Sequence, residues 1–371
     1  MSGSPPGLLA DAGDPSDGQP LLAGHFHAHA DMLERSRRSP LYVTMMRCAA
    51  ADIQAGGAVA GLFRDVALAP GSVPALRLLA ALHHLVLSGR APELAAFYPS
   101  AAGDRPAGEV WPAALAAANE HREWIRGRLH RGVQTNDPGR SVVLYALLMW
   151  LTDRYRLPIR LLEMGASAGL NLLCDRFCYL ADGAVLGEAA SPVRFQRPWV
   201  CPPQIDLVAA AEKLQIVRRC GCDLAPLNPA AGEDRLTLVS YIWPDEAERL
   251  ARTRAALKLA AEMPYVVVKA PAGSWLRGAL AAGERGEGVL SVIWHSLFRQ
   301  YLTAPEWEEL EAIYADCQDL QRAPVVWASM EPAEQATSGV ALSIRESPAE
   351  APRMLASCGD HGPPFRWAAG G

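Results

Sequence analysis

The sequence has no apolar run long enough to cross a bilayer. Its most apolar segment, VVLYALLMWL at 142–151, falls well short of the about 20 residues that a spanning helix takes. The opening MSGSPPGLLADAGDPSDGQP lacks a basic region followed by an apolar one, so no secretory signal is read there. Long basic runs are missing too, and 35 basic against 40 acidic residues leave a formal net charge of −5. Neither nucleic acid nor an anionic membrane is therefore expected as a partner, and a small-molecule partner is not excluded. Eight cysteines in 371 residues, with no paired C-x-x-C knuckles, exclude a disulfide scaffold. No internal repeat is evident, and a soluble, cytoplasmic protein is the expectation.

What is present is a chain that is 50% hydrophobic, enough for one large core or two adjoining ones. Residues 1–22 are read as a leader, rich in Gly, Pro, Ser and Asp at its start and expected to be disordered. Residues 23–140 read as a helical N-terminal region. Phe26, Ala30 and Leu33 fall at helical spacing, and RLLAALHHLVL (77–87) reads as a buried helix in which His83 and His84 point different ways, one packed and one solvated. Trp111-Pro112 opens another helix. Asp137-Pro138 offers an N-cap followed by proline at the first helical position.

Past Pro158 short branched segments alternate with helical ones. Strands are expected at 159–164, 215–220, 265–269, 289–295, 324–329 and 340–346, with a possible seventh at 353–358. Helices are expected in LNLLCDRFCYL, PDEAERLARTRAALKLAA and APEWEELEAIYADC. The last two strands have too short a link for a helix and suit an antiparallel hairpin. The fold class is thus α/β, a mostly parallel Rossmann-like sheet over 141–371 preceded by the helical region, which would cap or line its pocket.

The stretch LLEMGASAGLNLL (161–173) carries the chemistry and admits three readings. Gly165-x-Ser167-x-Gly169 matches a hydrolase nucleophile elbow, with a triad drawn from Ser167, Asp316 and His361. Against it, the motif follows the first strand, and no HGGG-like segment precedes it. A dinucleotide loop needs G-x-G-x-x-G, and here Ser167 and Leu170 replace two glycines. The third reading is S-adenosylmethionine binding, with an acid ending the first strand and small residues at the turn, so that backbone N–H groups approach the cofactor where the next helix begins. Glu163, Gly165, Ala166, Ser167, Ala168 and Gly169 supply these. In the helix expected to follow, Leu170, Leu173, Cys174, Phe177 and Cys178 would share one face.

With those residues in place, the region 141–371 resembles the class I S-adenosylmethionine-dependent methyltransferase fold. More closely, VQTNDPGRS (133–141), LLEMGASAGLNLLCDRF (161–177), GCDLAPLNP (221–229), WPDEAERL (243–250) and HSLFRQYL (295–302) resemble a bacterial family known as a domain of unknown function. The resemblance implies an acid ending the second strand that holds the ribose hydroxyls, and Asp223 matches. Two departures accompany it. Asp223 lies far beyond Gly169, so ADGAVLGEAASPVRFQRPWVCPPQ must be an insertion, and were VRFQRPW the true second strand Asp223 would lose its role. The usual adenine-side acid is absent from VVVKAPAGSW.

His295, ending the fourth strand, is the candidate catalytic base, against a reading as a buried histidine satisfied by the backbone. Gln134, Asn136 and Arg140 are candidate substrate-side residues, Arg140 near a carboxylate, and capping is the alternative for this cluster. No metal site is expected: His25 and His29 lack a third ligand, and Cys220 and Cys222 are placed on opposite faces of their strand. The functional expectation is methyl transfer from S-adenosylmethionine to an unidentified small molecule. The alternatives are a non-catalytic protein of the same fold and a serine hydrolase.

Overall fold

A computed structural model describes residues 18–68, 72–281, 286–317 and 323–368. The chain forms two compact units, one from residues up to Thr135 together with Gly232–Ala251, the other from Asn136–Ala231 and Arg252–Gly371. The division differs from the continuous boundary read at 140/141, because a segment remote in sequence joins the helical unit. No helix among the described residues is long and apolar enough to cross a membrane.

The first unit is helical throughout its described residues. Its first helix, Gly18–Arg35, begins inside the stretch read as a disordered leader; residues 1–17 of that reading lie outside the described residues. Phe26, Ala30 and Leu33 are fully buried on one face of that helix, as their spacing required. The segment expected as one helix from Trp111 is two, Val110–Glu120 and Arg122–Leu129, separated at His121.

Helix Pro74–Leu87 corrects the reading of its histidines, because both are buried. His83 has Ser240 O 3.1 Å from Nδ1 and Ser100 Oγ 2.7 Å from Nε2, and His84 Nε2 lies 3.1 Å from Glu233. Burial, with the Arg128 charge adding to it, pushes the His84 pKa down to about 4. Ser240 and Glu233 belong to the remote segment, whose docking turns a half-solvated helix into a buried one.

The second unit is built on an eight-stranded sheet. In chain order its strands are β1 (Ile159–Met164), β5 (Ile216–Asp223), β6 (Val266–Lys269), β7 (Leu290–Ser296), β8 (Val325–Pro332), β9 (Val340–Arg345), β10 (Arg353–Gly359) and β11 (Gly362–Trp367). Three short strands, β2 (Cys178–Ala181), β3 (Ala184–Gly187) and β4 (Arg194–Gln196), form a separate small sheet between β1 and β5. The spatial order β11-β10-β9-β8-β7-β1-β5-β6 makes the central sheet mostly parallel: β6, β5, β1, β7 and β8 run together, and β9, β10 and β11 follow as an antiparallel meander. The expected hairpin of β9 and β10 is present, and β11 was not anticipated.

Each strand expected from the sequence lies in the central sheet with its ends shifted by a few residues. β1 is buried at every position, which is why it reads as a continuous apolar run broken by Arg160 and Glu163. The long interval before Asp223 is indeed an insertion, hairpin β2–β3 with β4 added in parallel. It is held by Tyr179, whose ring stacks on Tyr145 at 4.4 Å and on Phe195 at 5.2 Å. VRFQRPW supplies β4 of the small sheet, so the strand beside β1 is β5, and Asp223 ends it.

The helix expected after the glycine turn is not there. Leu170–Arg176 is a 3-10 segment kinked at Leu173, and Phe177 and Cys178 are already extended. Cys220 and Cys222 also need correcting: residues two apart on a strand share a face, and both pack on the cluster of Leu162, Met164, Ile293 and Trp327 beneath helices Ala272–Ala279 and Ala304–Ala315.

Candidate functional site

From β1 the chain first proceeds outward to β5 and β6, then returns to build β7 and β8 on the other side of β1. In an open parallel sheet such a reversal leaves a crevice outside the carboxyl ends of the two strands where it occurs. Here those ends carry Glu163 and the glycine turn on β1, and His295 and Ser296 on β7.

Glu163 pairs in register with Gly221 on β5 and Trp294 on β7, and only 2% of it is exposed. Burial pushes its carboxyl up to about 8 against the opposing pull of Asn171 and Arg140, with the Asp223 charge adding to the rise. Its Oε2 has no hydrogen-bond partner among the described residues, and neither has the buried Nδ2 of Asn171. Asn171 is otherwise held by Ser141 Oγ, which donates to its Oδ1 at 2.9 Å. A buried acceptor and a buried donor thus lie without a full hydrogen bond at this end of the sheet, near enough to each other for Asn171 to pull the Glu163 carboxyl down.

The turn that follows is left-handed three times, at Gly165 (φ 67°), Ser167 (φ 51°) and Gly169 (φ 72°). A Cβ at Gly165 would meet Phe298 Cδ2 at 2.5 Å, and one at Gly169 would meet Tyr265 Cε2 at 2.5 Å, so close packing explains both glycines. Ser167 takes the strained geometry without that excuse. Ser167→Gly is therefore expected to leave stability unchanged or raise it by up to about 1 kcal/mol, and Ser167→Val to lower it by about 1–3 kcal/mol, as thermal unfolding would show.

The turn's amides point mostly into the protein. Ala166 N donates to Cys222 O at 3.0 Å, Ser167 N to Asp223 Oδ2 at 2.9 Å, Gly169 N to Ala166 O at 2.7 Å, and Leu170 N to Asn136 Oδ1 at 2.8 Å. Tyr265 closes over the turn by donating its hydroxyl to Ala168 O. With those groups engaged and a short 3-10 segment following, the turn offers a ligand little of the amide cradle that an α-helix start would present. Asp223 accepts from Ser167 N and, through Oδ1 at 2.9 Å, from Ala225 N. Each of its oxygens keeps a lone pair for a further donor.

Asn136 and Arg140 join this neighbourhood. Asp137 caps the 3-10 segment Pro138–Arg140 as its sequence suggested, accepting from Gly139 N at 2.8 Å, and its other oxygen lies 3.1 Å from His361 Nδ1. Arg140, 6% exposed, donates from Nε to Asp360 O at 3.2 Å and from Nη1 to Ser296 O and Oγ, both at 3.4 Å. Gln134 is half-buried and belongs to the helical unit.

His295 ends β7 as expected but turns away from Glu163. Glu163 is level with Trp294, and alternation puts the next residue on the opposite face. There the ring is wholly buried, edge-on to Trp307 at 5.7 Å and Trp327 at 6.0 Å, with Phe298 at 5.7 Å. Its Nδ1 lies 2.7 Å from Glu331 Oε1, which also accepts from Phe298 N at 2.8 Å and Arg299 N at 3.2 Å. Burial would raise the Glu331 pKa, but His295 and these two amides outweigh it and hold the carboxyl below its usual range. The sequence reading missed Glu331. An acid next to the end of an apolar strand was the available signal, and its partner is 36 residues away.

Of the hydrolase triad, Asp316 caps the C-terminus of helix Ala304–Ala315, whose Tyr314 hydroxyl donates to Val325 O at the start of β8. That is the sheet edge opposite Ser167. Among the described residues no group of three or more His, Cys, Asp or Glu is placed to hold a metal ion.

No curated protein and no solved structure matches this chain. One family model does, over residues 25–367, and its description is an uncharacterized protein conserved in bacteria. The match spans nearly the whole sequence, glycine turn and insertion included, and the chain belongs to that bacterial family, DUF2332.

Proposed function

We propose that this sheet edge binds S-adenosylmethionine in a Rossmann-like, methyltransferase-type arrangement and directs its methyl group to a small molecule. The observation that carries the reading is Glu163: a fully buried acid beside the strand-order reversal, with Oε2 unused. An unused buried acceptor suits an ammonium or hydroxyl donor of a ligand.

The residues fit the cofactor at the two carboxylates. Glu163 would take its ammonium end, and Asp223 its ribose hydroxyls through the lone pairs left over from Ser167 N and Ala225 N. Gly165, Ala166, Ser167 and Gly169 contribute shape more than amide donors, keeping the turn narrow enough for Asp223 to reach Ser167 N. When bound, the cofactor supplies a methyl group on a sulfonium, and transfer depends chiefly on alignment. His295 is not needed as a base on this reading; through Glu331 it fixes the turn that seats Phe298 against Gly165.

A second reading, a non-catalytic member of the same fold, is favoured by one observation: Asp223 and the turn's amides largely satisfy one another. Calorimetric titration of the full chain with S-adenosylmethionine separates the readings. Binding is expected in the wild type and in Ser167→Ala, weakened in Glu163→Gln, and abolished in Gly165→Arg, with circular dichroism confirming that each variant folds. Absence of wild-type binding would sink the proposal. Esterase activity removed by Ser167→Ala would then favour the hydrolase, and neither activity nor binding would favour the non-catalytic protein.

A further inference from the structure

Arg140 is a buried cation that makes no ion pair among the described residues. Its contacts there are two carbonyl oxygens and one hydroxyl at 3.2–3.4 Å, and its Nη2 has no hydrogen bond among them. Two other arginines with little exposed side chain in the same unit are matched: Arg219 is bidentate on Asp175 at 2.6 and 3.0 Å, and Arg345 is paired with Glu311. Holding a guanidinium away from water without a counter-charge is unfavourable, and a planar fork suits a carboxylate better than any neutral partner.

The surroundings narrow the ligand. Arg140 is tied to Ser296 at the end of β7, on the face that carries Glu163, so it stands at the same crevice. Glu163 lies close enough to feel the Arg140 charge but forms no ion pair with it, and its raised pKa keeps it from neutralising the arginine. Tyr301, 45% exposed, lies within electrostatic reach of both Arg140 and Glu331.

We infer that Arg140 anchors a carboxylate carried by a small molecule bound at the ends of β1 and β7. The inference rests on the preceding reading in taking this edge as the ligand site. The same chemistry has two sources, the methionine end of the cofactor and an acidic methyl acceptor.

Two sets of probes distinguish them on the full chain. The first compares S-adenosylmethionine with 5′-methylthioadenosine, which lacks the amino-acid end. The second compares acetate, pyruvate and benzoate with their amides, by calorimetry and thermal shift. In the wild type at least one carboxylate should bind about tenfold or more tighter than its neutral counterpart, the effect of one charge-assisted bond pair. Arg140→Gln should erase that preference in the carboxylate–amide pairs and reduce it in the S-adenosylmethionine pair, whose ammonium would still meet Glu163, and Arg140→Lys should keep part of it.

If Arg140→Gln lowers the preference in the first set, the carboxylate is the cofactor's; if it lowers the preference in the second, it is the acceptor's. Failure of S-adenosylmethionine to bind, with the second preference intact, sinks the cofactor reading and supports the anchor. Binding of S-adenosylmethionine without any carboxylate preference in the wild type overturns the anchor alone. Equal affinities within every pair overturn it even if Arg140→Gln does not fold.

Discussion

Replacing Glu331 by alanine is expected to cost on the order of 3–5 kcal/mol, because it strips three donors of their acceptor at once. His295 Nδ1, Phe298 N and Arg299 N all meet Oε1, and the histidine is wholly buried. Glu331→Gln keeps an oxygen acceptor while removing the charge, so its loss should be smaller, on the order of 1–2 kcal/mol. Urea unfolding of both variants would establish the order.

The pH dependence supplies a second check. The Glu331 pKa is lowered in the folded protein from its usual 4.5, so its contribution is fully present above that value and lost as pH falls through the folded pKa. The wild type should therefore lose stability on acidification in a way that Glu331→Gln does not. Losses that are equal in the two variants and below about 1 kcal/mol would show that the three bonds carry no weight. A further consequence reaches the glycine turn: the segment after β7, left-handed at Leu297 (φ 49°), would no longer hold Phe298 against Gly165.

Glu163 is expected to behave in the opposite sense. Its folded pKa is raised from 4.5 to about 8, so the folded state binds a proton that the unfolded state releases between those values. Stability should fall as pH rises from 4.5 to 8 and level off beyond, by on the order of 3–5 kcal/mol over the whole window. Glu163→Gln has no such proton to lose. It should match the wild type near pH 4.5 and exceed it above pH 8, as chemical denaturation at a series of pH values would record. Parallel profiles for the two proteins would overturn the assignment.

The same titration bears on the ligand. A cationic group docking on Glu163 favours the ionised form, so binding near neutral pH should release about one proton. Calorimetry in buffers of different ionisation enthalpy would detect the release, and Glu163→Gln should abolish it. An unchanged proton release in that variant would place the coupled group elsewhere.

Local pattern carried much of this protein. The buried face of Phe26, Ala30 and Leu33, the Asp137 cap and the expected strands follow from periodicity and residue type within a short window, whereas Asp223 at the end of β5 is reached only through the family resemblance. Periodicity misled where a partner remote in sequence competed. LNLLCDRFCYL has helical spacing, yet Phe177 and Cys178 extend because an inserted sheet takes them, and both His83 and His84 are buried because residues 232–251 dock on their helix.

Sequence by itself determined which side chains could be interior on each element and where small residues must stand for the chain to turn. Only tertiary structure decided which elements became neighbours: that β5 rather than β4 flanks β1, that His295 faces away from Glu163 toward Glu331, and that Arg140 is buried without an ion-pair partner among the described residues. The physical reason is one of range. Side-chain periodicity is set by the geometry of one helix or strand, whereas register, face and charge pairing depend on contacts between segments tens to hundreds of residues apart, which no local spacing encodes.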